Sequence, residues 1–284
     1  MSGQKLCDLH AHTTASDGDL SPAELVRLAV ETGLSALGVT DHDTVGGVAE
    51  ALEAASETGL ALAPGVEISA EFLPGTLHML GYFIDHEHPG LLEALEGMRG
   101  GRDVRNSKIV GKLNDLGMSI SMDEVLAAAG GDSISRNHIA QVILDKGYCA
   151  ERQEVFDMYL AKGAAAYFDR LRLGPRESIE LIRDAGGLPV LAHPYQTKLE
   201  SEELENLVEE LAGYGLVGIE ALYTKHSPEQ TAHYLALAKR YDLLVTGGSD
   251  FHGNSKPDVK LGVGCGNLEV PLEMFETLRS SAKK

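Results

Sequence analysis

The feature that most limits how this chain can fold is a repeat. A short apolar run leads into a loop and then an amphipathic helix, and at the end of nearly every run stands a histidine or a carboxylate. CDL opens into HAHTTASDGDL and then SPAELVRLAVETG. There Ser21 reads as an N-cap, Pro22 as the first helical residue and Glu24 as the partner that closes a capping box. Leu25, Leu28 and Ala29 make one apolar face, and Gly33 stops the helix. LSALGVT, LALAPGVEIS, LHMLGYF, LPVLAH, LVGIEAL and LLVTGGSDFH continue the strand series, and most are followed by a helical pattern. Strand after helix in this order predicts parallel strands with helices outside. About seven strands predict an α/β fold, a distorted or incomplete (β/α)7 barrel rather than a sandwich.

From about Pro89 to Phe168 the rhythm is lost, and every pattern is helical, with Gly100 and Gly101 as punctuation of the first helix. This predicts a discontinuous barrel, residues 1–90 and 168–284, with a small helical insertion over 91–167, to which the resemblance given below adds a share in the substrate pocket. The apolar stretches are too short to cross a bilayer, and the N-terminus lacks the apolar core of a secretory signal. Cys7, Cys149 and Cys265 form no CxxC spacing and fit a reducing cytoplasm. A formal charge of −19 repels a long nucleic-acid backbone but leaves room for a small phosphorylated ligand. No long nucleic acid, membrane or protein partner is expected; the small phosphorylated metabolite or short oligonucleotide expected as partner comes from the resemblance given below.

The ligand-type residues cluster by position. His10 and His12 follow CDL; Asp41, His42 and Asp43 follow ALGVT; Glu67 ends LAPGVE; His78 lies in the next strand; His193 ends PVLAH; Asp250 and His252 follow LLVTGG. In parallel α/β barrels the C-terminal strand ends carry the active site. Residues i and i+2 of a strand share a side, so His10 and His12 can aim at one ion, as can Asp250 and His252. Imidazole mixed with carboxylate suits Zn²⁺, Fe²⁺ or Mn²⁺. The set exceeds what one ion needs, which implies two or three divalent ions sharing a bridging carboxylate. Other residues read as structural: His86 and His88 as surface, His233 as part of a helix face, Asp43 as a cap or loop anchor, Asp41 and Asp8 as orienting groups.

DLHAHTTASDG, GVTDHDTVGG, Glu67, His78, LAHP and GSDFHG together resemble the motifs of the polymerase and histidinol phosphatase (PHP) family of metal-dependent phosphoesterases. The resemblance covers about 1–90 and 168–265 and implies a distorted seven-stranded barrel. The helical middle resembles the subgroup of nucleoside 3′,5′-bisphosphate phosphatases and 5′-3′ ribonucleases. The resemblance implies three metal positions: His10, His12, Glu67 and Asp250; Glu67 as bridge with His78 and His193; and Asp17 with His42 and His252. It favours Mn²⁺, with Fe²⁺ or Zn²⁺ as alternatives.

In DSISRNHIAQ the resemblance makes Arg136 a bidentate phosphate clamp with His138 beside it. In ALYTKHSPEQ it makes His226 a second phosphate contact, with Lys225 adjacent. It thus gives catalytic roles to His226, Arg136 and Asp17. The chain departs from the subgroup at YLAKGAAAYF, where Lys162 precedes Gly163 and Ala164 takes the usual lysine position. The implied reaction is in-line attack of a metal-bridging hydroxide on a phosphate ester. The implied substrate is the 3′-phosphate of a nucleoside 3′,5′-bisphosphate or the end of a short 5′-phosphorylated oligonucleotide. The alternative is a five-membered cyclic phosphate of a phosphorylated sugar.

Overall fold

The computed structural model describes residues 5–129, 134–169 and 172–283. Asp132 and Ser133 of the DSISRNHIAQ stretch lie outside them. The chain divides into two compact units, one comprising the chain up to Glu93 and from Arg172 onward, the other Ala94–Leu171.

The first unit is an α/β fold built on a seven-stranded sheet in the order β1 to β7, each strand beside its neighbour in sequence. The strands are β1 (Cys7–Asp8), β2 (Ala36–Val39), β3 (Ala61–Ala70), β4 (Leu77–Tyr82), β5 (Leu188–Leu191), β6 (Gly218–Tyr223) and β7 (Leu244–Gly248). Helices α1 (Pro22–Glu31) and α2 (Val48–Thr58) follow β1 and β2. Ser21 accepts from the Glu24 amide, and the Glu24 side chain accepts from the Ser21 amide, the reciprocal cap that the sequence predicts.

The sheet nearly closes, because the segments after β1 and β7 meet. The Asp250 amide donates to the His10 carbonyl at 2.9 Å, and Ala11 bridges Phe251 in parallel. Gly248 is needed for this approach: a Cβ there would lie 2.3 Å from the His10 Cβ and 2.5 Å from its amide nitrogen. The interior is apolar on both sides of the strands, with Leu25, Leu37 and Ala51 in one cluster and Leu80, Val190 and Phe275 in another.

One expectation fails here. β4 is not parallel; it pairs antiparallel with both β3 and β5. The β3–β4 link, residues 71–76, holds no helix, and a short link can only return the chain antiparallel. The reversal matters for the site. His78 stands near the start of β4, opposite Ser69, and so reaches the rim that the parallel strands reach with their ends.

The second unit holds most of α3 (Pro89–Asp115), then α4 (Met122–Ala129), α5 (Arg136–Asp145), α6 (Arg152–Val155) and a π-helical turn over Phe156–Leu160. Its core includes Ile109, Leu113, Val125, Ile139, Ile143 and Leu160. The predicted punctuation at Gly100 and Gly101 is wrong: α3 runs unbroken through both. An interior glycine costs only about 1 kcal/mol against alanine, which packing of a 27-residue helix offsets.

The remaining helices belong to the first unit: α7 (Pro175–Asp184), α8 (Ser201–Tyr214), α9 (Pro228–Arg240) and α10 (Leu272–Ser281). Among the described residues no helix is long and apolar enough to cross a membrane.

Candidate metal centre

The backbone brings the candidate residues together before any side chain is considered. Just past the end of β2, His42 bridges Glu67 of β3 in parallel, with the Glu67 amide donating to the Asp41 carbonyl and the Asp43 amide to the Glu67 carbonyl. Beyond β1 and β7, the His12 amide donates to the Phe251 carbonyl. Three residues here take positive φ without being glycine: Asp43 (53°), His193 (23°) and Asp250 (57°). Such backbone is costly, and it persists where the surroundings over-determine it.

Nine side chains converge. Glu67, fully buried, lies at the middle, and its two oxygens face different partners. Oε1 is 2.7 Å from His78 Nδ1 and 2.8 Å from His193 Nε2. Oε2 is 3.3 Å from His10 Nε2, 3.3 Å from His12 Nε2 and 2.9 Å from His42 Nδ1. Asp250 Oδ1 is 3.1 Å from His12 Nε2. Asp17 Oδ1 is 3.3 Å from His252 Nε2 and 4.0 Å from both His12 Nδ1 and His42 Nε2.

Three groups have all their ligand atoms within 4.8 Å of one another: His10, His12, Glu67 and Asp250; His42, Glu67 and His78; and His12, Asp17, His42 and His252. His42 thus stands between two groups, one ring nitrogen toward each. The resemblance had placed it with Asp17 and His252 alone.

The other candidates are not among the nine; of these, the His226 ring lies 5.0 Å from the Tyr223 ring, which is 5.4 Å from that of His193, centre to centre. Arg136 and His138 start α5 in the second unit. Lys225 is exposed and His226 is buried, both just beyond β6.

The cluster fits divalent cations. His10 Nε2, both nitrogens of His12, Asp17 Oδ1, His42 Nδ1, Glu67 Oε2 and His193 Nδ1 are buried and make no well-aligned hydrogen bond; what most of them face is one another, imidazole against carboxylate. Each such atom costs about 1–3 kcal/mol when left bare, and cations at the three groups would satisfy the carboxylate oxygens and one nitrogen of each neutral ring there. The tautomers also suit ligation. His10 Nδ1 is 3.0 Å from Glu220 Oε1, and His252 Nδ1 is 2.8 Å from the Asp250 carbonyl. Both acceptors hold the proton on Nδ1 and turn an Nε2 lone pair toward the carboxylates.

Charge follows the same map. Burial would raise the Glu67 carboxyl, but the imidazoles of His42, His78 and His10 outweigh it and hold it well below the usual range. Burial would depress His42, but Glu67 and Asp17 push it up to about 9. His12 goes the other way, lowered by burial and by its neighbours His252 and His42.

The PHP domain model matches residues 8–169. The 5′-3′ exoribonuclease Rnm of Escherichia coli is 35% identical over 257 residues, covering 90% of this chain and 87% of that protein. The chain belongs to the PHP family. The 3′,5′-nucleoside bisphosphate phosphatase of Chromobacterium violaceum is 32% identical over 86% of both proteins. A crystal structure described as that of a metal-dependent phosphoesterase from Bifidobacterium adolescentis superposes with a TM-score of 0.84 at 32% identity, over 97% of this chain and 96% of that one. With its clustered donors, this PHP protein is an enzyme, a metal-dependent phosphoric ester hydrolase.

The structural residues around the PHP centre are specific in what they hold. Asp41 accepts from Thr13 N, Thr13 Oγ1 and Ser16 Oγ, fixing the loop that leads to Asp17. Asp43 accepts from the Ser69 amide. Asp8 accepts from Ser249, Gly262 and His10, tying β1 to the segments after β7. His88, expected at the surface, is half-buried, and its Nδ1 accepts from the Leu91 amide at the start of α3.

Sequence reasoning passed over three residues: Glu220, Tyr223 and Lys256. A signal for the first was present, since Glu220 is a carboxylate in the one strand of the series given no ligand.

Proposed function

We propose that this enzyme hydrolyses a phosphate ester of a small nucleotide. The substrate we assign is the 3′-phosphate of a nucleoside 3′,5′-bisphosphate or the end of a short 5′-phosphorylated oligonucleotide. The observation that carries the reading is Glu67, whose two oxygens each face a separate set of imidazoles, the arrangement a bridging carboxylate requires. The substrate choice draws support from the E. coli exoribonuclease and the C. violaceum bisphosphate phosphatase, both similar over most of their length.

We assign two to three divalent ions to His10, His12, Asp17, His42, Glu67, His78, His193, Asp250 and His252. The mixed imidazole and carboxylate set suits Mn²⁺, Fe²⁺ or Zn²⁺, and we assign Mn²⁺ on the family resemblance, with Fe²⁺ or Zn²⁺ as alternatives. Bound there, such ions supply Lewis-acid polarisation of a phosphoryl oxygen and acidify water.

The chain's own residues supply the rest. Arg136 Nη1 donates to the Leu160 carbonyl at 2.9 Å, and its guanidinium lies 5.7 Å from the centre of the Tyr167 ring. Both contacts fix its plane, as a bidentate phosphate clamp needs. His138 Nδ1 accepts from the Ser135 amide, shaping the start of the helix that presents Arg136. His226 Nδ1–H donates to the Ala221 carbonyl, which leaves Nε2 as an acceptor without a partner. Burial also lowers its pKa. We therefore read His226 as the acceptor for a substrate hydroxyl or a protonated phosphate, and not as the proton donor to the leaving group. Lys225, exposed, adds positive charge nearby.

The test is a screen of Mn²⁺-loaded enzyme for phosphate release. It includes nucleoside 3′,5′-bisphosphates, mononucleotides, short 5′-phosphorylated RNA and five-membered cyclic sugar phosphates. Turnover of bisphosphate or short RNA is expected. Activity confined to cyclic sugar phosphates would replace this substrate with the cyclic one.

A further inference from the structure

Strand β6 contributes none of the nine clustered side chains, yet it touches three of the residues that carry them. In a regular strand Glu220 and Leu222 would share a face, and Tyr223 would point away. The pairing with β7 is not regular. Glu220 pairs with Thr246, but Leu222 pairs with Gly247 and Tyr223 with Gly248, so Ala221 is an extra residue. The bulge resets the alternation. Thr246 and Gly248 share a face of β7, and so Glu220 and Tyr223 share a face of β6. Leu222 packs instead against the apolar cluster that holds Val270 and Phe275.

Both resulting residues are buried and fully engaged. Glu220 Oε1 is 3.0 Å from His10 Nδ1, and its Oε2 accepts from the His193 amide at 2.7 Å. One carboxylate thus orients the His10 ring and pins the strained His193 backbone. The Tyr223 hydroxyl donates to Asp250 Oδ2 at 2.7 Å. Lys256 Nζ reaches the same oxygen at 2.9 Å. With Oδ2 held by two donors, Asp250 is left with Oδ1 toward His10 and His12. The segment bearing Lys256 is itself anchored: Ser255 donates through its amide and its hydroxyl to Asp19, at 2.9 Å each.

We propose that the bulged strand β6, together with Lys256, is the positioning frame of the metal centre. Glu220 sets the tautomer of His10 and the place of His193, and Tyr223 and Lys256 confine Asp250 to one-oxygen ligation. The inference rests on the cluster being a metal centre and is independent of the substrate chosen above.

The experiment is a titration of the metal-free full chain with Mn²⁺, by calorimetry, and with Co²⁺, by visible absorption. The variants are Tyr223→Phe, Lys256→Met, Lys256→Arg and Glu220→Gln. The expected result is about 10–100-fold weaker affinity for the tightest ion in Tyr223→Phe and Lys256→Met, the usual effect of removing a group that orients a ligand. Altered Co²⁺ bands should accompany it, and Lys256→Arg should recover much of the loss. Thermal melts of the metal-free variants separate this from a folding defect; if Glu220→Gln fails to fold, Tyr223→Phe and Lys256→Met decide.

Unchanged affinity and bands in both of those variants would overturn the proposal. So would a raised KM for Lys256→Met with metal binding intact, since that places the ammonium on substrate. A wild-type chain that takes up neither ion would instead sink the metal centre itself.

Discussion

The two units of this enzyme treat their polar groups in opposite ways. In the helical unit most are spent on neighbouring backbone and side chains, though Ser135 Oγ is buried without a well-aligned hydrogen bond. Asn106 Nδ2 donates to the Ile134 carbonyl, Asn114 bridges Val110 and Ile120, Lys146 meets Glu124 and Ser119, and His138 closes the cap of α5. In the barrel unit seven buried ring and carboxylate atoms around Glu67 make no well-aligned hydrogen bond, and most face only one another. A scaffold is most stable when every polar group is paired. A site that must seize a cation needs lone pairs left over once the fold is complete, and the surrounding structure has to hold them there. The contrast makes the barrel unit the place where donor groups gather.

Substitutions can test this division, in descending order of effect. Glu67→Gln removes the charge shared by two donor sets. It should lower kcat by roughly 10³-fold or more and reduce bound metal per chain, measured by steady-state kinetics and elemental analysis. Arg136→Ala should spare metal content entirely. Loss of a charged hydrogen-bond pair costs about 1.5–3 kcal/mol, so kcat/KM on a substrate with a second phosphate should fall by about 10–100-fold. An unchanged kcat/KM would reject the clamp. Lys225→Ala, at an exposed position, should change kcat/KM by less than about threefold, since exposed charges contribute little.

Acidity gives a further check on the barrel side. His42, raised to about 9 in the metal-free protein, is protonated at pH 7, whereas a metal takes the neutral ring. Metal uptake should therefore release protons at neutral pH. Affinity should climb as pH rises toward about 9 and fall as pH drops. Calorimetry in two buffers of different ionisation enthalpy measures the release directly; uptake without proton release would show that His42 does not ligate.

Much of this architecture was legible along the chain. The alternation of short apolar runs with capped helices marked the barrel, and the loss of that alternation marked the helical middle. His10 and His12 could be paired because strand side chains repeat every two residues. Less legible was anything that depends on a partner strand. β4 reads like its neighbours, and only its short connection to β3 reveals that it runs antiparallel and carries His78 to the rim from its start. Glu220 could have been suspected as a carboxylate in a rim strand. Tyr223 could not, because regular alternation points it away from Glu220, and the bulge at Ala221 is visible only in the register with β7. Lys256 is six residues beyond Asp250 in a turn, with no periodicity to bring the two together.

The kinds of side chain available, their spacing within each strand and their arrival at one end of the barrel are local properties, and local geometry encodes them in the sequence. Which oxygen of Asp250 faces the cluster, which nitrogen of His10 keeps its proton, and how Glu67 divides its two oxygens were decided only by the tertiary structure. Each of those depends on a hydrogen bond between residues far apart in the chain, and such a bond exists only once the sheet has curled until its first and last strands meet.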